Sequence, residues 1–214
     1  MAVDVVSFGC RLNTLEAETM RTKAQESGVS DAILVNTCAV TAEAVKQARQ
    51  TIRRARREDP DRRIVVAGCA VQVDPAQFAA MPEVDQILGN VEKLSADSYA
   101  TTARIQVGDI MAARQNPGQP AAAIAGRTRA FVEVQTGCDH RCTFCIIPFA
   151  RGGSRSVCMK TLADRVRNLV ERGHAEVVLT GVDITAYGAD LAGRATLGML
   201  VRTIARRCAG RPRV

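Results

Sequence analysis

Three apolar runs of strand length constrain this chain most: "VDVVSF" at 3–8, "AILVNT" at 32–37 and "RIVVAG" at 63–68. A short, mainly apolar run of this length suits a β-strand. Each run is followed by a stretch with helical spacing. Residues 13–28 carry Leu15, Thr19 and Met20 on one side and stop at Gly28. A second helix is expected from about Thr41 to Glu58, ending before Pro60. Shorter units follow around Pro75–Met81, Gln86–Leu88 and Val91–Tyr99. Strand–helix alternation of this kind predicts an α/β fold, a parallel sheet wrapped by helices.

A cysteine stands just after each of the three runs, in "FGCRLN", "NTCAVT" and "AGCAVQ". In a parallel sheet all strand carboxyl ends lie on one edge, where ligands bind. Cys10, Cys38 and Cys69 are therefore expected on one edge as a shared ligand set, although one strand–helix unit separates each from the next. The bland alternative is three unrelated core cysteines.

"RQNPGQPAAAIAGRTR", 114–129, has prolines, glycines and no amphipathic period, and it divides the chain. The expected organisation is an α/β domain at 1–113, a linker at 114–128 and a second domain at 129–214. The second domain restarts the pattern. "RAFVEVQ" (129–135) alternates as a strand, and a helix is expected from about Thr161 to Arg172. "AEVVLTG" (175–181) is the next strand and "LGMLVRTIARRC" (197–208) the next helix.

The chain opens with no signal peptide, and it has no apolar run long enough to span a membrane, so a cytoplasmic protein is expected. Eight cysteines in a reducing compartment point to metal or redox chemistry rather than disulfides. Cys208 and Cys158 are expected as small buried hydrophobes. The formal net charge of +7 suits a polyanionic partner such as nucleic acid. Aromatics make up only 3%, which argues against a base-stacking platform.

"GCDHRCTFCIIPFARG", 137–152, places Cys138, Cys142 and Cys145 in C-x3-C-x2-C spacing. Thiolates are soft ligands that suit an iron–sulfur cluster or zinc. Zinc wants a fourth ligand. His140 lies inside the loop, but Cys-x-His is not a common finger spacing and no second Cys–Cys pair follows. Three thiolates on a 4Fe–4S cluster leave one iron open to a substrate or cofactor. Gly137 gives the backbone room to turn beside the first ligand.

C-x3-C-x2-C with Phe144 before its last cysteine is identified as the signature of the radical S-adenosylmethionine enzymes. Joined to "GCRLN", "NTCAVT" and "CIIPFARGGSRS", it resembles the methylthiotransferase family almost end to end. The resemblance implies two 4Fe–4S clusters. An auxiliary cluster would sit on Cys10, Cys38 and Cys69, and the radical cluster on Cys138, Cys142 and Cys145. Asn13 and Asn36 match asparagines of the flanking motifs. Phe144 and Asp183 match positions near the S-adenosylmethionine cofactor, though Asp183 also suits an ordinary loop cap. "QTGCDHRCTFCIIPFARG" and "VVLTGVDITAYGADL" look most like the branch acting on N6-threonylcarbamoyladenosine 37 in the tRNA anticodon loop. The alternatives are the branch modifying an aspartate of a ribosomal protein, and a non-catalytic iron–sulfur or zinc-binding module.

The implied chemistry is reductive cleavage of S-adenosylmethionine, attack of the resulting radical at C2 of adenine, and transfer of sulfur presented by the auxiliary cluster. The protein positions the reactants and excludes water. The resemblance also implies an electron donor such as flavodoxin or ferredoxin, a sulfur source, and no membrane. Arg151, Arg155 and Ser156 read either as contacts to cofactor or RNA or as a solvated loop. Lys46, Arg49, Arg53 and Arg57 line one side of the second helix, as phosphate contacts or as a solvated face. His174 reads as a surface residue at a helix exit. Cys158 stands where relatives commonly carry proline. Relatives also continue past "RCAGRPRV" with further strand–helix units and an RNA-binding barrel. This stretch by itself is therefore expected to bind clusters without methylthiolating tRNA.

Overall fold

The structure is a computed structural model that describes residues 2–114 and 129–208. All of the expected linker except Arg114 lies outside the described residues. The chain separates into two compact units. One comprises Met1–Ala113 with His140–Gly152, and the other comprises Arg114–Asp139 with Gly153–Val214.

The first unit holds a five-stranded parallel sheet in the order β1 (Val3–Ser7), β2 (Ala32–Thr37), β3 (Arg63–Gly68), β4 (Gln86–Leu88) and β5 (Ile105–Gln106). Ser7 pairs with Asn36, and Thr37 with Gly68, so the first three strands finish at nearly the same level. Alternate side chains of each strand face opposite ways. Leu34, Val65, Ala67 and Leu88 join Met20 and Ala24 of α1 (Arg11–Glu26) in one core. Val35, Ile64, Val66 and Ile87 join Ala48, Ile52 and Ala55 of α2 (Ala42–Glu58) in another. The sheet is thus covered on both faces.

Local chemistry sets the helix ends. Thr41 caps α2 by accepting a hydrogen bond from the Ala44 amide at 3.2 Å, a contact worth about 1 kcal/mol. Glu43 in its first turn and Arg56 and Arg57 in its last complement the helix dipole. Only a narrow stripe of α2 is apolar, and fully buried Ile52 at its centre contributes about 1.5–3 kcal/mol. Helix α1 begins at Arg11, two residues before the expected start, directly after Cys10. Short helices α3 (Cys69–Val73) and α4 (Pro75–Ala79) follow β3, and α5 (Asp97–Ala100) precedes β5. Helix α6 (Ile147–Arg151) belongs to this unit and packs against α3.

The second unit has a three-stranded sheet in the order β7 (Arg155–Ser156), β6 (Arg129–Thr136), β8 (Glu176–Gly181). Strands β6 and β8 are parallel, with a register shift between Glu133 and Gln135. The antiparallel β7 is too short to leave a periodic trace in sequence. Helices α7 (Met159–Glu171) and α8 (Leu197–Arg207) bury Leu162, Val166, Leu169, Leu200 and Ile204 against Ala130, Val132 and Val134 of β6. Cys208 joins this core as a small hydrophobe. Cys158 does not. It is exposed at the N-terminal boundary of α7, ahead of the buried stripe of Leu162, Val166 and Leu169. Among the described residues, no helix is long and apolar enough to cross a membrane.

Candidate metal centre

Parallel topology places Cys10, Cys38 and Cys69 just beyond the carboxyl ends of β1, β2 and β3. Two glycines hold the cysteines close. Gly9 has φ +97°, and a Cβ built on it would lie 2.7 Å from Cys38 Sγ. Gly68 has φ +103°, and its Cβ would lie 2.5 Å from Asn36 Oδ1 and 2.6 Å from the Thr37 carbonyl. Neither position accepts a side chain without displacing the edge. Burial pushes the Cys38 thiol up, and the nearby Cys69 and Cys10 sulfurs add to the effect. Cys10 is exposed, while Cys38 and Cys69 are buried.

Beneath these thiols lies a buried polar network. Asn13 Nδ2 donates to the carbonyls of Phe8 (2.7 Å) and Thr37 (2.9 Å), tying the ends of β1 and β2 together. Its Oδ1 accepts from Arg151 Nη2 at 2.7 Å and faces Cys10 Sγ at 3.9 Å. Asn36 Nδ2 donates to the Asn13 carbonyl, and its Oδ1 accepts from Lys93 Nζ at 3.2 Å. Glu16 bridges the two cations, receiving Lys93 Nζ on Oε2 at 2.6 Å and Arg151 Nη1 on Oε1 at 2.8 Å. Asn90 Nδ2 donates to the Ala150 carbonyl at 2.6 Å and lies 3.7 Å from Cys69 Sγ. Burial would raise the Glu16 pKa, but Arg151 and then Lys93 outweigh it and hold the carboxyl at about 2.

This network corrects the reading of "RGGSRS" as a solvated loop. Arg151, Arg155 and Ser156 are all buried. Arg151 has Glu16 and Asn13 as partners, Arg155 donates to the Gly153 carbonyl, and Ser156 Oγ accepts from the Gly188 amide. Sequence reasoning singled out Asn13 and Asn36 but missed Glu16, Lys93 and Asn90. The only trace of Glu16 is its place one turn after Asn13 on the buried side of α1. Nothing in sequence marks Lys93.

Cys142 and Cys145 lie in the first unit, where the Cys145 amide donates to the Cys142 carbonyl at 3.0 Å. Phe144 between them is 91% exposed. Cys138 lies in the second unit, half-buried after β6, with Gly137 at φ +74°. Its Sγ is 3.9 Å from Asp183 Oδ2. Buried Gln135 pins both neighbours, donating to the Gly137 carbonyl and accepting from the amides of Val182 and Asp183. Asp183 also accepts from Thr185 Oγ1 at 2.7 Å, but its side chain makes no cap hydrogen bond to the backbone of the turn that follows. His140 is exposed, and half-buried His174 follows α7, its amide bonded to the Leu169 carbonyl. On α2, Lys46, Arg53 and Arg57 are exposed. Lys46 and Arg53 stand 3.9 Å from Glu43 and Glu83, which partly neutralises that face.

Residues 2–89 match the family described as "Uncharacterized protein family UPF0004", and residues 132–207 match the "Radical SAM superfamily". The chain is 46% identical over 202 residues to the threonylcarbamoyladenosine tRNA methylthiotransferase MtaB of Rickettsia prowazekii, covering 94% of this chain and 48% of that protein. It is 37% identical to the Bacillus subtilis protein of the same name, over 86% of this chain and 44% of that one. It is 31% identical to the ribosomal protein uS12 methylthiotransferase RimO of Syntrophus aciditrophicus, over 95% of this chain and 49% of that one. The chain spans about half the length of the curated relatives it matches. A radical SAM domain implies S-adenosylmethionine and a 4Fe–4S cluster as cofactors. With a radical SAM superfamily segment following a UPF0004 segment, the chain is similar across nearly its whole length to about half of each of these methylthiotransferases.

Proposed function

We propose that residues 1–113 and 129–214 are an auxiliary-cluster domain and the first part of a radical domain in a tRNA methylthiotransferase acting on N6-threonylcarbamoyladenosine 37. The observation that carries this reading is the convergence of Cys10, Cys38 and Cys69 at one sheet edge, with glycine at the two positions where a side chain would intrude. An all-thiolate set suits an iron–sulfur cluster, so the residues present fit the group. Cys138, Cys142 and Cys145 are the second set. When bound, the two clusters supply the electron that cleaves S-adenosylmethionine and the site from which sulfur is transferred.

The chain's own residues have definite tasks. Asn13 ties the ends of β1 and β2 together and Asn36 holds the Asn13 backbone, which fixes the segments that carry Cys10 and Cys38. Gln135 orients the backbone on either side of Cys138 and Asp183. Phe144 offers an exposed aromatic surface beside the second ligand set, suited to cover a cofactor and exclude water. The exposed arginines of α2 offer salt-sensitive contacts to RNA phosphates. The tRNA substrate is favoured over ribosomal protein by the higher identity to the relatives named for tRNA. A cytoplasmic location, a flavodoxin or ferredoxin donor and a separate sulfur source complete the proposal.

Iron and acid-labile sulfide analysis after anaerobic reconstitution tests the two-cluster reading. About eight irons per chain with matching sulfide are expected. Zinc without sulfide would reject it in favour of a structural site. Substrate choice is tested with protein at the full length of its relatives, reduced and supplied with S-adenosylmethionine. Mass spectrometry should find 2-methylthio-N6-threonylcarbamoyladenosine in tRNA, whereas modified ribosomal protein with unmodified tRNA would reject the tRNA branch.

A further inference from the structure

The Glu16–Lys93–Arg151 network is unusual in what it leaves over. All three side chains are almost fully withdrawn from water, with relative exposures of 4%, 0% and 4%. Two cations share one carboxylate, so the buried group carries one net positive charge. Burying an excess charge is costly unless something offsets it. A simple structural bridge needs only one cation. The excess lies under the strand-end cysteines, since Arg151 is one hydrogen bond from Asn13, which in turn faces Cys10 Sγ. Burial opposes the Arg151 charge, yet Cys69, Glu16 and Cys10 together raise its pKa well above the ordinary value.

We propose that Arg151 and Lys93, balanced by Glu16, form a positively charged floor that sets the reduction potential of a cluster held by Cys10, Cys38 and Cys69. This rests on the assignment of those cysteines as one ligand set. A thiolate-bound iron–sulfur cluster is anionic, and taking up one electron makes it more so, so nearby positive charge favours the reduced form. Inside a protein the effect is weakly screened. Arg151 is a positioning residue as well. It closes α6, so the same guanidinium that charges the floor fastens the segment bearing Cys142 and Cys145 to the body of the first unit. Glu16 sets the magnitude by cancelling one of the two charges.

The test is a dye-mediated redox titration, with dithionite as electron donor and electron paramagnetic resonance as readout. It uses the whole chain carrying Cys142→Ala, so that only the strand-end set is loaded. Arg151→Gln and Lys93→Gln remove positive charge and should move the midpoint to more negative potential. Glu16→Gln removes negative charge and should move it the opposite way. Arg151→Lys, which keeps the charge, should stay near the parent. Iron content and far-UV circular dichroism establish that each variant is folded and loaded. A merely structural network gives shifts of one sign, or none, and either result overturns the proposal. Loss of iron in Arg151→Gln and Arg151→Lys alike would also overturn it, by making the shape of the guanidinium rather than its charge decisive. A Cys142→Ala parent that takes up no iron–sulfur cluster would reject the ligand assignment itself.

Discussion

Replacing Glu16 with Gln keeps the shape of the side chain and removes the anion between two buried cations. The cost can be reached in two ways. Breaking a buried ion pair and leaving its partner uncompensated costs about 3–5 kcal/mol. Independently, holding the Glu16 carboxyl at about 2 instead of its ordinary 4.5 corresponds, at about 1.4 kcal/mol per pKa unit, to roughly 3 kcal/mol of stability at neutral pH. Both routes point to about 3 kcal/mol, a large share of the ~5–15 kcal/mol typical of a domain. The assay is urea denaturation of the cluster-free protein followed by far-UV circular dichroism. At pH 7 the variant midpoint should fall by on the order of 1–3 M, given m-values of about 1–3 kcal/mol/M. The pH dependence fixes the origin of the effect. The folded-state pKa is depressed, so the unfolded chain binds a proton first as pH falls below about 4.5, and the parent loses this contribution by about pH 2. The variant has no such titration, and other carboxyl groups cancel in the difference. The gap between parent and variant should therefore close between pH 4.5 and 2. Equal midpoints at pH 7, or a gap that persists at pH 2, would refute the reasoning.

Three further outcomes are expected. Replacing the whole network with apolar groups, Glu16→Leu with Lys93→Met and Arg151→Met, should recover much of the loss caused by Glu16→Gln in the same urea assay, because no charge remains to be desolvated. Gly9→Ala should destabilise the fold by about 1–3 kcal/mol and lower the iron bound by the strand-end cysteines, measured colorimetrically in the Cys142→Ala background, because φ +97° is strained for alanine and the new methyl meets Cys38 Sγ. Phe144→Ala should change the thermal midpoint of the cluster-free protein by the equivalent of no more than about 0.5 kcal/mol, since the ring is 91% exposed and packs nothing.

Much of the fold is written in local pattern. The runs at 3–8, 32–37 and 63–68 yield β1, β2 and β3 because apolar, largely β-branched residues suit a pleated sheet; the central β2 and β3 are largely buried, whereas β1 is a partly exposed edge strand. Helix α2 is legible from Thr41 to Glu58 because a cap, a narrow apolar stripe and a following proline all agree. Some small elements were legible, such as α4 and β4, and others were not. β5 and β7 have two residues each, and α3 and α6 five, too few for any period to show. Cys158 resisted sequence reading for a related reason. Whether a thiol at a helix boundary is covered depends on what tertiary packing places over it, and Cys158 is left exposed.

The sequence by itself determined that Cys10, Cys38 and Cys69 stand at strand ends, and parallel topology carries that placement to a single edge. It also determined the C-x3-C-x2-C loop, since spacing along a chain is a local property. Only the tertiary structure decided what lies beneath the edge. Arg151 finds Glu16 across 135 positions, and Lys93 finds it across 77. No periodicity or composition couples residues so far apart. A charged side chain written in a glycine-rich loop looks like one meant for water. It is buried here because a carboxylate and an asparagine from a distant helix meet its donors, and a buried charge is tolerated only where such partners have already been brought together.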